Sequence, residues 1–199
     1  ISNSNGGGAG GAAYRIHKSL INSGINSEMW VNVLKTEDET VKSSTKIFKK
    51  FIIFIRRNAK KLLMIFFKTK NPILHSPSFL SSSWVKNINS SDADVVNLHW
   101  VQHEMLSISD ISKINKPLVW TLHDMWSFCG AEHVSWDERW KEGYNIDNRP
   151  SHESGFDLNR WTWLRKKKYW KKPIQIITSS TWLMKCVKLS KLMQNWPCE

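Results

Sequence analysis

The chain has 199 residues, 41% of them hydrophobic, which makes one ordinary domain with ample apolar content for a buried core. Its 29 Lys and Arg against 17 Asp and Glu leave a formal charge of +12, favouring polyanionic or membrane-surface partners over neutral ones. Cys129, Cys186 and Cys198 are odd in number, widely spaced and without a CxxC pair, which points to a reducing, cytoplasmic compartment and not to a disulfide framework.

In chain order, the first element is a glycine loop at 7–11 that runs straight into a helix over 12–23, with Ala13, Ile16, Leu20 and Ile21 on one face. Glycines at a helix start let backbone N–H groups approach an anion, and the helix dipole favours negative charge, so a phosphate or diphosphate is the natural guest. Gly7, Gly8, Gly10 and Gly11 would supply that cradle, with Arg15 as the nearest positive charge. A flexible tail is the plainer reading of such a run; its direct passage into a helix argues against it.

A strand is predicted over 29–34, then a basic helix or pair of helices over 45–68. There Phe48, Phe51, Ile52, Ile55, Ala59, Leu62, Leu63 and Phe66 form one stripe, opposite Lys49, Lys50, Arg56, Arg57, Lys60 and Lys61. This is the pattern of a helix lying among anionic headgroups, and equally of a surface helix docked on a sheet. Charges interrupt it well short of the roughly 20 apolar residues that cross a bilayer. A second basic block covers 160–172, and neither carries a helix-turn-helix, zinc-finger or ribonucleoprotein signature, which argues against nucleic acid.

Further strands are expected over 95–99, 118–122 and 174–178, and helices over 104–114, 158–170 and 181–189. Alternating strands and helices imply an α/β fold, a Rossmann-like parallel sheet flanked by helices. The strand PLVWTL ends in His123 and Asp124, and the strand before it in His99 and Trp100; open α/β sheets bind ligands at such carboxyl ends. A core histidine beside a capping aspartate is the plainer alternative for the first pair.

The polar segment 127–159 is too long for an ordinary connection. With Trp126 just before it, it offers flat rings and hydrogen-bonding groups suited to a sugar: Glu132, His133, Arg139 and Tyr144 are the candidates, alongside His99 and Trp100. Tryptophans that merely fill gaps are the alternative. Cys129, Glu132 and His133 are too few for a structural zinc site, so no metal is expected.

Four runs, GGGAGGAAYRIHKSL, DADVVNLHW, KPLVWTLHDMW and ITSSTWL, together resemble in order and spacing the N-terminal domain of retaining, GT-B-type bacterial glycosyltransferases of family 4 that build surface polysaccharides. The resemblance spans nearly the whole chain and is weakest between residues 35 and 89. It implies transfer of a sugar from a nucleotide-sugar to a lipid-linked or polysaccharide acceptor, without an obligatory metal or other cofactor, on the cytoplasmic membrane face. It also implies that residues 1–199 form the acceptor-side domain, with its first strand and the donor-binding domain lying outside the sequence. By the same resemblance His123 reaches the donor sugar near the reacting centre. Asp124 is assigned orientation of His123 or of an acceptor hydroxyl, and the glycine loop the diphosphate. Relatives often have Arg near the end of that loop, where this chain has Gly11. A non-catalytic glycan-, lipid- or nucleic-acid-binding module is the alternative function.

Overall fold

The computed structural model of the chain describes residues 1–43, 58, 63–103 and 105–199. Most of the basic stretch 46–70, and with it the expected membrane helix, lies outside the described residues. At its end the chain is extended instead of helical, since Phe67–Thr69 forms a strand, β4. Leu63 packs inward with Phe67 and Leu158, whereas Phe66 is exposed.

Six strands form two parallel sets. β1 (Ser2–Ser4), β2 (Met29–Val33) and β3 (Val41–Ser43) lie side by side, as do β5 (Val96–Leu98), β6 (Leu118–Leu122) and β8 (Gln175–Thr178). Main-chain hydrogen bonds from His99 N to Ile1 O (2.9 Å) and from Asn3 N to Trp100 O (2.7 Å) set β1 against the end of β5. The resulting order, β3-β2-β1-β5-β6-β8, is that of a doubly wound, Rossmann-like sheet, with its reversal between β1 and β5. Residues 197–199 bond alongside β8 and extend that edge. The small antiparallel pair of β4 with β7 (Glu153–Gly155) stands apart.

Two expectations change at the amino end. A strand does precede the glycines, because Ser2–Ser4 is β1. The glycines are not a loop either: helix α1 spans Gly7–Asn22 and absorbs them into its first two turns. The cause is close packing, since a Cβ on Gly10 would sit 2.4 Å from the carbonyl oxygen of Ser4 in β1. The buried face of α1 is therefore Gly10, Ala13 and His17, with Ile16 exposed. His17 can be buried because Ser27 and Thr40 hydroxyls lie 2.9 and 2.8 Å from its two nitrogens.

The remaining helices are α2 (Trp84–Asn89), α3 (Ile108–Ile111), α4 (Arg139–Glu142), α5 (Leu158–Tyr169) and α6 (Thr181–Leu189). Helix α3 is shorter than 104–114 because Ser107 and Asp110 close a capping box at its start. Around β5, β6 and β8 the main core is rich in indoles, and seven of the twelve tryptophans are buried. A buried indole usually finds a partner for its N–H: Trp120 donates to His99 O at 3.2 Å, Trp126 to Ser76 O at 2.7 Å and Trp170 to Ile108 O at 2.8 Å, whereas Trp163 Nε1 has none among the described residues.

Candidate functional site

The sheet reverses order between β1 and β5, and ligands of open α/β sheets bind outside the strand ends at such a point. Three segments meet the carboxyl edge there: the start of α1 after β1, His99-Trp100 after β5, and His123-Asp124 after β6. His99 and His123 stack with centroids 5.4 Å apart, and His99 Nδ1 lies 3.1 Å from His123 Nε2. Burial drives the His99 pKa down to about 2, so its imidazole is neutral. Burial also lowers that of His123, against the opposing pull of the Asp124 charge. One hydrogen is therefore shared between the facing nitrogens. His123 Nδ1 has no hydrogen-bond partner among the described residues, and the ring is only half-buried. Its hydrogen-bonding capacity is unspent.

Asp124 does not serve His123. Its Oδ1 accepts from the Trp126 N–H at 3.0 Å, and its Oδ2 accepts from Trp100 Nε1 at 2.9 Å and lies 2.6 Å from His133 Nδ1. Burial alone would push this carboxyl up, but the hydrogen bond and charge of His133, with the two other donors, hold it below its ordinary value. What Asp124 orients is His133 and Trp100. On its far side His133 Nε2 lies 2.9 Å from Ser76 Oγ, which completes an Asp-His-Ser chain of the kind that activates a serine nucleophile. Here Ser76 is fully buried and the Trp126 ring stacks against His133, so no substrate carbonyl reaches the hydroxyl. The chain of bonds is a clamp that ties the segment around Ser76 to the end of β6. Nothing in the sequence around Ser76 singled it out.

The acceptor candidates of the 127–159 segment also turn inward. Trp126, Glu132, His133, Arg139 and Tyr144 are all buried, as is His99, which leaves Trp100 half-buried. The Tyr144 hydroxyl donates to Glu132 Oε1, and burial raises the pKa of both groups. Arg139 lies over the Tyr144 ring at 4.7 Å and pairs with Glu153 at 3.0 Å and Asp137 at 3.2 Å. In the same interior sits Lys166, part of the second basic block. Its Nζ donates to the carbonyls of Trp126, Cys129 (3.0 Å) and Gly130 (2.7 Å) and lies 3.9 Å above the Trp126 ring. Burial lowers its pKa to about 7, while three carbonyl acceptors require all three ammonium hydrogens. These residues build the excursion from within; as placed, they present no surface to a sugar.

Among the described residues, Asp137, His152 and Glu153 bring potential metal-ligand atoms within 4.8 Å of one another. Arg139 pairs with both carboxylates and already supplies the positive charge that a cation would bring.

At the amino end the site is open. Gly7 and Gly8 are exposed, and a Cβ at either would meet nothing within 4 Å. The first N–H groups of α1 have no acceptor within the helix, and its cap, Gly6, offers no side chain to them. Exposed Arg15 brings its guanidinium alongside, 3.7 Å from the Cβ position of half-buried Gly11. Gly7, Gly8 and Arg15 are thus placed to meet an anion, whereas Gly10 is given to packing.

No family model, curated protein or solved structure matches the chain.

Proposed function

We propose that this chain is the acceptor-side domain of a retaining glycosyltransferase that passes a sugar from a nucleotide-sugar to a saccharide acceptor in surface polysaccharide or lipopolysaccharide synthesis. The observation that carries the reading is the neutral His99–His123 pair, with one nitrogen of His123 unspent, at the strand edge shared with the glycine-started helix. In the transfer, the bond from the anomeric carbon to the diphosphate oxygen breaks as an acceptor hydroxyl oxygen bonds to that carbon and passes its proton to the departing oxygen. Negative charge grows on the departing diphosphate. The first N–H groups of α1 and the helix dipole suit that charge, and donors fixed before the reaction cost no reorganisation during it. Where His99 Nδ1 donates to His123 Nε2, neutral His123 keeps its hydrogen on Nδ1 for a sugar hydroxyl or the departing oxygen.

The order of the four sequence runs supports the same reading. The basic stretch 46–70 would bring the enzyme to an anionic membrane face, where a lipid-linked acceptor is presented. No helix among the described residues is long and apolar enough to cross a membrane. The test uses the full product of the gene, supplied in turn with UDP-, GDP- and dTDP-sugars and a lipid-linked saccharide, with the product followed by NMR. Transfer with the donor's anomeric configuration kept is the expected result. If no donor is consumed, the protein is a binding module and the reading fails.

A further inference from the structure

With the expected acceptor residues buried, the exposed aromatic surface of the same excursion lies elsewhere. Trp136 is 56% exposed and Trp182, at the start of α6, is 59% exposed; both line one groove of about 400 Å³. That volume is within the roughly 300–1,000 Å³ of small-ligand sites. The groove runs between the excursion and α6, with Met125 at its floor, three residues beyond the end of β6. Because α6 follows β8 directly, its first turn, which carries Trp182, starts from the carboxyl edge of the sheet that also carries His123, and the lining continues along the helix to Leu189.

The local folding makes these indoles available. Ser180 Oγ accepts from Leu183 N at 3.2 Å and fixes the start of α6. The helix then buries Leu183, Cys186 and Val187, and Trp182 falls off that stripe. Trp136 precedes Asp137, whose carboxylate is bound to Arg139, so the turn that carries its indole is pinned from inside. Neither ring has a place in the core, and Trp136 lies beside the His152 ring with centroids 6.1 Å apart.

The walls between the rings are mixed, with Val134, Trp140 and Leu189 apolar and Asp137, Glu138, Lys141 and Lys185 charged. Glu138 and Lys141 form an ion pair across one turn, and Lys185 has no ion-pair partner among the described residues. A protein partner favours an interface centre depleted of charge, whereas a pyranose needs an apolar face and, around its rim, donors and acceptors for hydroxyls. We propose that this groove is a saccharide-binding subsite in which sugar rings stack on Trp136 and Trp182 and their hydroxyls bond Glu138, Lys141 and Lys185. The proposal rests on the glycosyltransferase reading and names where the acceptor lies.

The test is saturation-transfer NMR on the 199-residue chain with a panel of methyl glycosides of glucose, galactose, mannose, rhamnose and glucuronic acid. Trp136→Ala, Trp182→Ala and the double variant are run beside the parent, with circular dichroism to confirm that each is folded. At least one glycoside should bind the parent, and each single variant should weaken it by about tenfold, the upper range for loss of one aromatic contact. Binding unchanged in the folded double variant would overturn the groove while leaving the transfer reading intact. If no glycoside binds the parent, saccharide recognition by this domain falls with it. A fall in solution mass for the double variant would show instead that the indoles hold a second copy of the chain, and would also overturn the proposal.

Discussion

His123 and His133 stand on either side of the same short stretch of chain after β6, yet they differ in what they have left to give. His133 spends one nitrogen on Asp124 and the other on Ser76, in the same buried excursion as the Glu132–Tyr144 and Arg139–Glu153 contacts. His123 spends one nitrogen on His99, and its other has no hydrogen-bond partner among the described residues. Two Asp- or His-centred clusters of similar composition thus divide into a structural interior and an open edge. The lesson is that an unspent hydrogen bond points to a ligand only where the group is accessible: buried Glu132 Oε2 also lacks a hydrogen-bond partner, whereas His123 Nδ1 sits on a half-buried ring.

The comparison breaks most sharply at Lys166. Lys166→Met keeps the volume but strands three buried carbonyls, each costing about 1–3 kcal/mol when left unpaired, so a loss above roughly 3 kcal/mol is expected in urea unfolding. A loss under about 1 kcal/mol would mean that the closed region is not held from within. At the open edge, Gly10→Ala tests how closely α1 approaches β1. Alanine favours a helix by about 1 kcal/mol, but its Cβ would sit 2.4 Å from a backbone oxygen that cannot move aside. A net destabilisation of about 1–3 kcal/mol is expected from the overlap, and a stabilised variant would contradict the packing.

A smaller effect sharpens the contrast through pH. The His99 resonance should stay flat between pH 8 and pH 4 in an NMR titration, because burial holds its pKa near 2. The sign follows by linkage: below about pH 6.5 the unfolded imidazole takes a proton that the folded one refuses. His99 therefore subtracts about 1.4 kcal/mol of stability per pH unit as the pH falls from there toward 2. A midpoint near 6.5 would show that the pair is solvated and the proposed geometry wrong. Smallest of all, Trp136→Ala should leave stability within about 0.5 kcal/mol, since its ring is more than half exposed.

Much of the sheet could be read from the chain. Leu118–Leu122 and Thr181–Leu189 fall where the sequence pattern puts them, because local pattern and tertiary role agree there. The glycines misled for a physical reason: composition reads Gly as loop, while Gly10 is helical because of what lies across from it, a contact no local window contains. The site divided in the same way. His99 and His123 were legible as strand-end residues, and the sheet order brings them together. The burial of Glu132, Arg139 and Tyr144 was not, since only long-range partners such as Glu153 and Lys166 decide whether a polar side chain faces inward. Trp182 did leave a signal, as a bulky aromatic residue off the Leu183-Cys186-Val187 stripe.

The most direct test of the central claim is the turnover of His123→Ala in the full gene product, measured with stability. Because its ring is half-buried and spends only one hydrogen bond, truncation should leave the unfolding midpoint nearly in place. If its unspent nitrogen serves the transition state, kcat should fall by about tenfold to a thousandfold with little change in KM. Unchanged kcat in a normally folded variant would contradict the account and return His123 to the interior with His133.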